Sequence, residues 1–189
     1  QPLARVGTVV MAALILFVFL GPLVYRHSVT HLHILDLMQP PSLTFPLGTD
    51  ELGRNVFARL MVGGQMSLEV GFVAAFAGMA IGIAYGMVAG LVGGWIDAIL
   101  MRIVDLLRSI PGLFLLIFLD SVFRPSAGLL IILIAAVSWH GVARLVRGEV
   151  LSLKSQLYVE AAEAMGASRL RIIVRHLFPN ALGTILVVH

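Results

Sequence analysis

Hydrophobic runs of membrane length alternate with short polar stretches along this chain, and the alternation predicts an all-α membrane protein built as a polytopic helical bundle. No charge interrupts residues 6–24, a match to the ~20 apolar residues that cross a hydrocarbon core of about 30 Å. A second run covers about residues 66–92. Within it Gly78, Gly82, Gly86 and Gly90 recur every four residues and so share one helix face. A helical Gly costs about 1 kcal/mol against Ala in water, so such a ladder suits a membrane bundle, where small residues let two backbones approach. The ladder is a candidate packing seam.

The third span, about 98–120, opens amphipathically after Trp95 and carries Arg102, Asp105 and Arg108 at three-residue steps before turning apolar. A charge near the bilayer centre costs roughly 2.5–3.5 kcal/mol on insertion scales, so this half belongs at an interface or inside the bundle, with Arg102 paired to Asp105. Pro111 predicts a kink. A fourth span covers about 127–147, and a fifth opens at 177 and is still apolar at His189. Between the spans lie an outer loop, 25–65, and a polar loop, 148–176. In the outer loop Thr49 or Asp50 is placed to cap a short helix. Glu69, close to the start of the second span, either snorkels to the headgroups or faces the bundle interior.

Basic residues orient the chain. With the first end inside, the inner segments hold nine of them (Arg5, Arg102, Arg108, Arg144, Arg147, Lys154, Arg169, Arg171, Arg175) and the outer ones four (Arg26, Arg54, Arg59, Arg124). The positive-inside rule therefore places the loop around Glu160 in the cytoplasm. A signal peptide is the competing reading of Arg5 and its apolar run, but that run exceeds the ~7–15 residues of a typical apolar core and no small-residue cleavage site follows Val24.

Composition agrees with a bilayer location. Hydrophobic residues make up 59% and charged residues 12%, with a mean hydropathy of +1.01, too little charge to cover a water-soluble globule. The net charge of +3 comes from scattered Arg side chains flanking apolar runs, a membrane pattern rather than a nucleic-acid surface. There is no cysteine, hence no disulfide framework.

Candidate chemistry is sparse. Gly148 to Lys154-Ser155 matches a phosphate-binding loop except at the Gly before the Lys, where Leu153 stands, and Lys154 is the only lysine. Such a loop needs that Gly for its amides to wrap phosphate and needs a strand before it, so the match fails. His31, His33 and Asp36 are ligand types for a transition metal, but only two histidines and one carboxylate converge, and polar residues in an outer loop are the default reading. No Ser, His and Asp arrangement supplies a hydrolase's nucleophile and base. No catalytic residue and no metal site is expected.

The polar stretch Glu160-Ala161-Ala162-Glu163-Ala164-Met165-Gly166-Ala167-Ser168 reads as a slim, Ala-faced helix ended by a Gly turn. An amphipathic helix on lipid would pair bulky apolar residues with basic ones, whereas here the basic residues come only afterwards. A small-faced helix suits a cleft on a protein partner.

Glu160-Ala161-Ala162, three residues, Gly166 and then Pro179 resemble the cytoplasmic loop of ABC importer permeases. The resemblance extends to Pro46-Leu47-Gly48-Thr49-Asp50-Glu51-Leu52-Gly53-Arg54-Asn55, Gly93-Gly94-Trp95-Ile96-Asp97, Met101-Arg102-Ile103-Val104-Asp105, Ile110-Pro111-Gly112-Leu113, Ser138-Trp139, and Ala143-Arg144-Leu145-Val146-Arg147 with Glu149-Val150-Leu151. Together these are similar to the dipeptide, oligopeptide and nickel branch, and within it to the second, dipeptide-type C, permease. His140 departs from that branch, standing where a Pro often follows Ser-Trp and weakening an expected kink; Gly64-Gln65-Met66-Ser67 lacks a usual basic residue, and His176 departs from the general ABC pattern only.

The resemblance implies a six-span subunit of a type I importer in the bacterial inner membrane. It would pair with a homologous permease, sit over two ATP-binding subunits that hold the ATP and magnesium, and receive peptide from an extracytoplasmic binding protein. This chain would then be no enzyme and bind no cofactor. Glu160, Ala161, Ala162, Gly166 and Ala167 would form the ATPase-coupling helix. Both ends of the sequence are expected to be trimmed, with two more crossings after His189. A permease for nickel or another small solute, or a non-transporting membrane scaffold, are the other readings.

Overall fold

A computed structural model describes residues 2–30, 36–124, 126–157, 159, 165 and 166. Among them are five helices: α1 (Pro2–Val24), α2 (Val56–Val92), α3 (Gly94–Ser109), α4 (Gly112–Val122) and α5 (Ala127–Lys154). Three of these, α1, α2 and α5, are long and apolar enough to cross a membrane. The chain is helical, and it packs as two compact units, Gln1–Val70 and Gly71–His189. The fifth span expected from residue 177 lies outside the described residues.

In the first unit, α1 and the start of α2 meet through small and aromatic side chains. A Cβ on Gly64 would come 2.8 Å from Val18 Cγ2, so only Gly permits this approach. The Gln65 amide donates to the Val18 carbonyl at 3.0 Å, and Phe17 packs edge-on against Phe57. Helix α2 begins ten residues before the span start anticipated at Met66, because Asn55 caps it: its side-chain oxygen accepts from the Ala58 N–H at 3.1 Å. Glu69 is exposed and lies well inside the helix rather than near its start.

Asp50 and Thr49 do not cap a helix, contrary to the sequence expectation. Asp50 Oδ1 accepts from the backbone N–H groups of Leu52 and Arg54, both at 2.9 Å, and Oδ2 from Arg54 Nε at 2.8 Å and from Arg59. Its carboxylate thus closes a tight turn, helped by Gly53 at φ 71°. Thr49 faces the preceding loop, accepting from Gln39 N at 2.8 Å and donating to the Asp36 carbonyl. Burial raises the Asp50 carboxyl, but the Arg54 and Leu52 amides and the Arg54 guanidinium outweigh it and hold it at about 2.

The second unit is organised around α5. Its buried Val142, Val146 and Val150, one per turn, form a ridge against Met79, Ile83, Met87 and Leu91 of α2. Helix α5 runs unbroken through His140, which stands where a Pro was expected. The stretch expected to form a third, kinked span is two separate helices, α3 and α4. Ile110 turns to extended backbone (φ −87°, ψ 122°), and Pro111, which lacks an N–H, stands at the N-cap of α4. Gly112 sits against Val137 of α5, 2.5 Å from where its Cβ would be.

Candidate functional site

The glycine ladder faces α5 along its length. A Cβ on Gly78 would collide with Ser138 Oγ; on Gly82 it would lie 2.5 Å from Val142 Cβ and 2.6 Å from the Trp139 carbonyl. On Gly86 it would meet the Ala143 carbonyl and come 2.9 Å from Val146 Cβ, and on Gly90 2.8 Å from Val150 Cγ1. Each glycine therefore meets a residue 60 positions later, so the two helices run parallel with matched turns. No real Cβ fits at such distances from backbone oxygen, and the close approach depends on the missing side chains.

The end of α5 that leads toward residue 166 is tied to its neighbours by three basic side chains. Arg147 grips Asp97 with a two-pronged fork, Nε to Oδ1 at 2.5 Å and Nη2 to Oδ2 at 2.6 Å. Arg144 pairs with Asp105, which corrects the expected Arg102–Asp105 pair. An i, i+3 partner was anticipated within α3, but α5 packs beside α3 and brings a cation from across the interface. The Asp97 side chain is 11% exposed and that of Arg147 30%, against about half for Arg144 and Asp105. The inner pair is thus the stronger, while the outer one contributes at most about 1 kcal/mol.

Lys154, at the foot of α5, donates to the Leu91 carbonyl at 3.0 Å, where α2 ends. A cation there satisfies an open carbonyl and sits at the negative end of the helix dipole. The stretch from Gly148 to Lys154 is continuous helix, without the open backbone of a phosphate-binding loop. Across the same end, the Tyr85 hydroxyl donates to the Leu100 carbonyl at 3.0 Å and its ring packs on Trp139.

Two glycines join α2 to α3, both at positive φ: Gly93 at 68° and Gly94 at 59°. Beyond α5, Ser155 ends the helix and Val159, buried, bonds back to Gln156 at 2.9 Å. Gly166 has φ 79°, a left-handed backbone that favours glycine, with Met165 exposed beside it. Glu160, Ala161, Ala162 and Ala167 lie outside the described residues, as do His31 and His33. Among the described residues no three His, Cys, Asp or Glu side chains are grouped to hold a metal.

The ionic ties escaped the sequence reading, although the signal was present. Acids at 97 and 105 and bases at 144 and 147 lie on elements predicted to cross in opposite directions, and pairing across elements rather than within α3 would have found them.

Comparison with known proteins places these features in a lineage. Residues 82–189 match the family model described as "Binding-protein-dependent transport system inner membrane component". The oligopeptide transport system permease protein OppC of Bacillus subtilis is 38% identical over 98% of this chain and 61% of its own length. The dipeptide transport system permease protein DppC of the same organism is 41% identical over 98% of this chain and 58% of its own length. The glutathione transport system permease protein GsiD of Escherichia coli O6:K15:H31 is 43% identical over 80% of this chain and 50% of its own. The chain spans about three fifths of the length of the first two relatives. With more than half of its residues in the family match, this chain belongs to the binding-protein-dependent transport system inner membrane components.

Proposed function

We propose that this chain is part of a permease subunit of an ATP-driven importer of di- or oligopeptides, forming half of a pathway completed by a homologous permease. The observation that carries this reading is its 38% and 41% identity, over 98% of its residues, to permeases named for oligopeptide and dipeptide transport. In it, an extracytoplasmic binding protein delivers the peptide and two ATP-binding subunits hold the nucleotide and magnesium. The permease performs no covalent chemistry. The loop containing Glu160, Ala161, Ala162, Gly166 and Ala167 faces the cytoplasm and docks on an ATP-binding subunit. Closure of the ATPase pair then swings the pathway between inward and outward access as a two-state rigid-body change.

The glycine ladder and the ionic ties support this, since a subunit that passes movement from a docking loop to its crossings needs helices that move together. The test is reconstitution of the full-length protein in liposomes with its neighbouring permease, ATPase and binding-protein genes. Uptake of labelled dipeptide, a longer oligopeptide, glutathione and nickel is then measured. ATP-dependent uptake of a peptide is the expected result. Uptake of nickel alone would move the chain to the metal-carrying branch, and no ATP-dependent uptake, with no ATPase retained on the membrane, would leave a scaffold.

A further inference from the structure

Helix α3 is bounded by two breaks in the helical backbone and tied to α5 by one half-buried ion pair and one exposed one. At its start, nothing lies within 4 Å of where a side chain on Gly93 or Gly94 would project, and both glycines carry positive φ. At its end, the extended Ile110 and the N–H-free Pro111 separate it from α4. Neither join is stiff, because a paired glycine turn and a broken helix resist bending far less than a continuous hydrogen-bonded ladder does. The ties to α5 are of the opposite kind. The Arg147 fork fixes both distance and angle to Asp97, and Arg144 binds Asp105 two turns further along α3. Two attachments along one helix prevent rotation as well as separation.

From this arrangement we infer that Asp97 and Arg147 are positioning residues that lock α3 to the lower half of α5, so that movement entering at the end of α5 is carried by α3 as well. The inference rests on the importer reading for the source of that movement and deepens it, by naming which crossing follows the loop around Gly166. Asp97 is the key member. It is buried beneath the fork in the first turn of α3, where its charge also suits the helix N-terminus. Asp97→Asn removes the ionic fork while keeping shape, and leaves Arg147 without its counter-charge. The reciprocal swap Asp97→Arg with Arg147→Asp restores a pair across the same gap.

Spin labels can be placed at Ile99→Cys on α3 and Leu151→Cys on α5, both exposed, in the full-length protein with every other cysteine of the assembled complex replaced by serine. Their separation is measured by pulsed electron resonance without nucleotide and with ATP trapped, alongside peptide uptake per ATP hydrolysed. With the native pair, one narrow distance is expected in both states. Asp97→Asn should broaden it and lower the uptake-to-hydrolysis ratio at least about fivefold in complexes that still assemble, and the swap should recover both by half or more. A role in folding alone would reduce the yield of complex and leave that ratio unchanged. A distance that shifts between states with the native pair intact, or one that Asp97→Asn leaves unaltered, overturns the lock. Failure of the importer reading shows separately, as absent ATP-dependent uptake by the unsubstituted complex; there the label distance in the membrane, native against Asp97→Asn, still decides the lock.

Discussion

Replacing Gly82 by Ala should destabilise the second unit, and the size of the effect follows from what the new methyl meets. It would stand 2.5 Å from Val142 Cβ and 2.6 Å from the Trp139 carbonyl, well inside ordinary contact distance. The side chain of Val142 can yield only by moving its stem, and the Trp139 oxygen belongs to the backbone of α5, so the two helices must part. Overpacking of this kind costs roughly 1–3 kcal/mol. The better helix propensity of Ala returns about 1 kcal/mol, leaving a net loss of up to about 2 kcal/mol, and Gly82→Leu should lose more. Gly71, in the same helix, has nothing within 4 Å of its Cβ position, so Gly71→Ala should be neutral or gain up to about 1 kcal/mol. Ala80→Leu and Ala84→Leu, on exposed positions, should be tolerated. Heating each purified variant in lipid nanodiscs and measuring the folded fraction by fluorescence-detected gel filtration ranks them. If Gly82→Ala and Gly82→Leu melt with Gly71→Ala and the native protein, the ladder is not a packing seam.

Gly166→Val forces a β-branched residue into φ 79°, at a cost of about 1–2 kcal/mol; membrane insertion should persist while the ATP-binding subunit is lost on washing, and full retention with native uptake would separate this turn from coupling. Lys154→Met removes the donor to the Leu91 carbonyl and should cost about 0.5–1 kcal/mol, read as faster amide hydrogen exchange at the end of α2; unchanged exchange would make the contact incidental. Asp50 is held at about 2, against an ordinary 3.8, so its ionised form favours the folded turn. That stabilisation is fully present above pH 3.8 and disappears as pH falls toward 2. Proteolysis of the loop around Asp50 should therefore be flat from pH 5 to 8, with Asp50→Asn cut faster throughout that range; equal cutting of the two forms would refute the tie.

The helical architecture could be read from the sequence because a membrane span is written locally, in consecutive apolar residues, and the glycine face is written in a four-residue repeat. Gly82 and its companions announce a close neighbour without saying which. That α5 is the neighbour, with Val142 opposite Gly82, depends on tertiary packing. The start of α2 is written differently from the start of the span expected at Met66: hydropathy marks where lipid begins, whereas the helix begins where Asn55 caps it. Asp50 looked like a cap because an acid before a polar segment usually is one, but Gly53 and Arg54 let it close a turn instead. Arg102 and Asp105 were paired because their spacing allows it, and the pairing failed once Arg144 was available from another helix.

The matched turns of α2 and α5 leave a degeneracy that the rest of the unit must lift. A row of glycines every fourth residue facing a row of Val142, Val146 and Val150 coincides with itself after a slip of one turn, about 6 Å of axial travel. Steric fit along the seam alone does not say which alignment is native. The aperiodic contacts do: the Tyr85 ring of α2 packs at a tilt against Trp139 of α5, and Lys154 of α5 reaches the Leu91 carbonyl where α2 ends. The glycines make the helices adhere, and a tyrosine and a lysine act as the detents that index them.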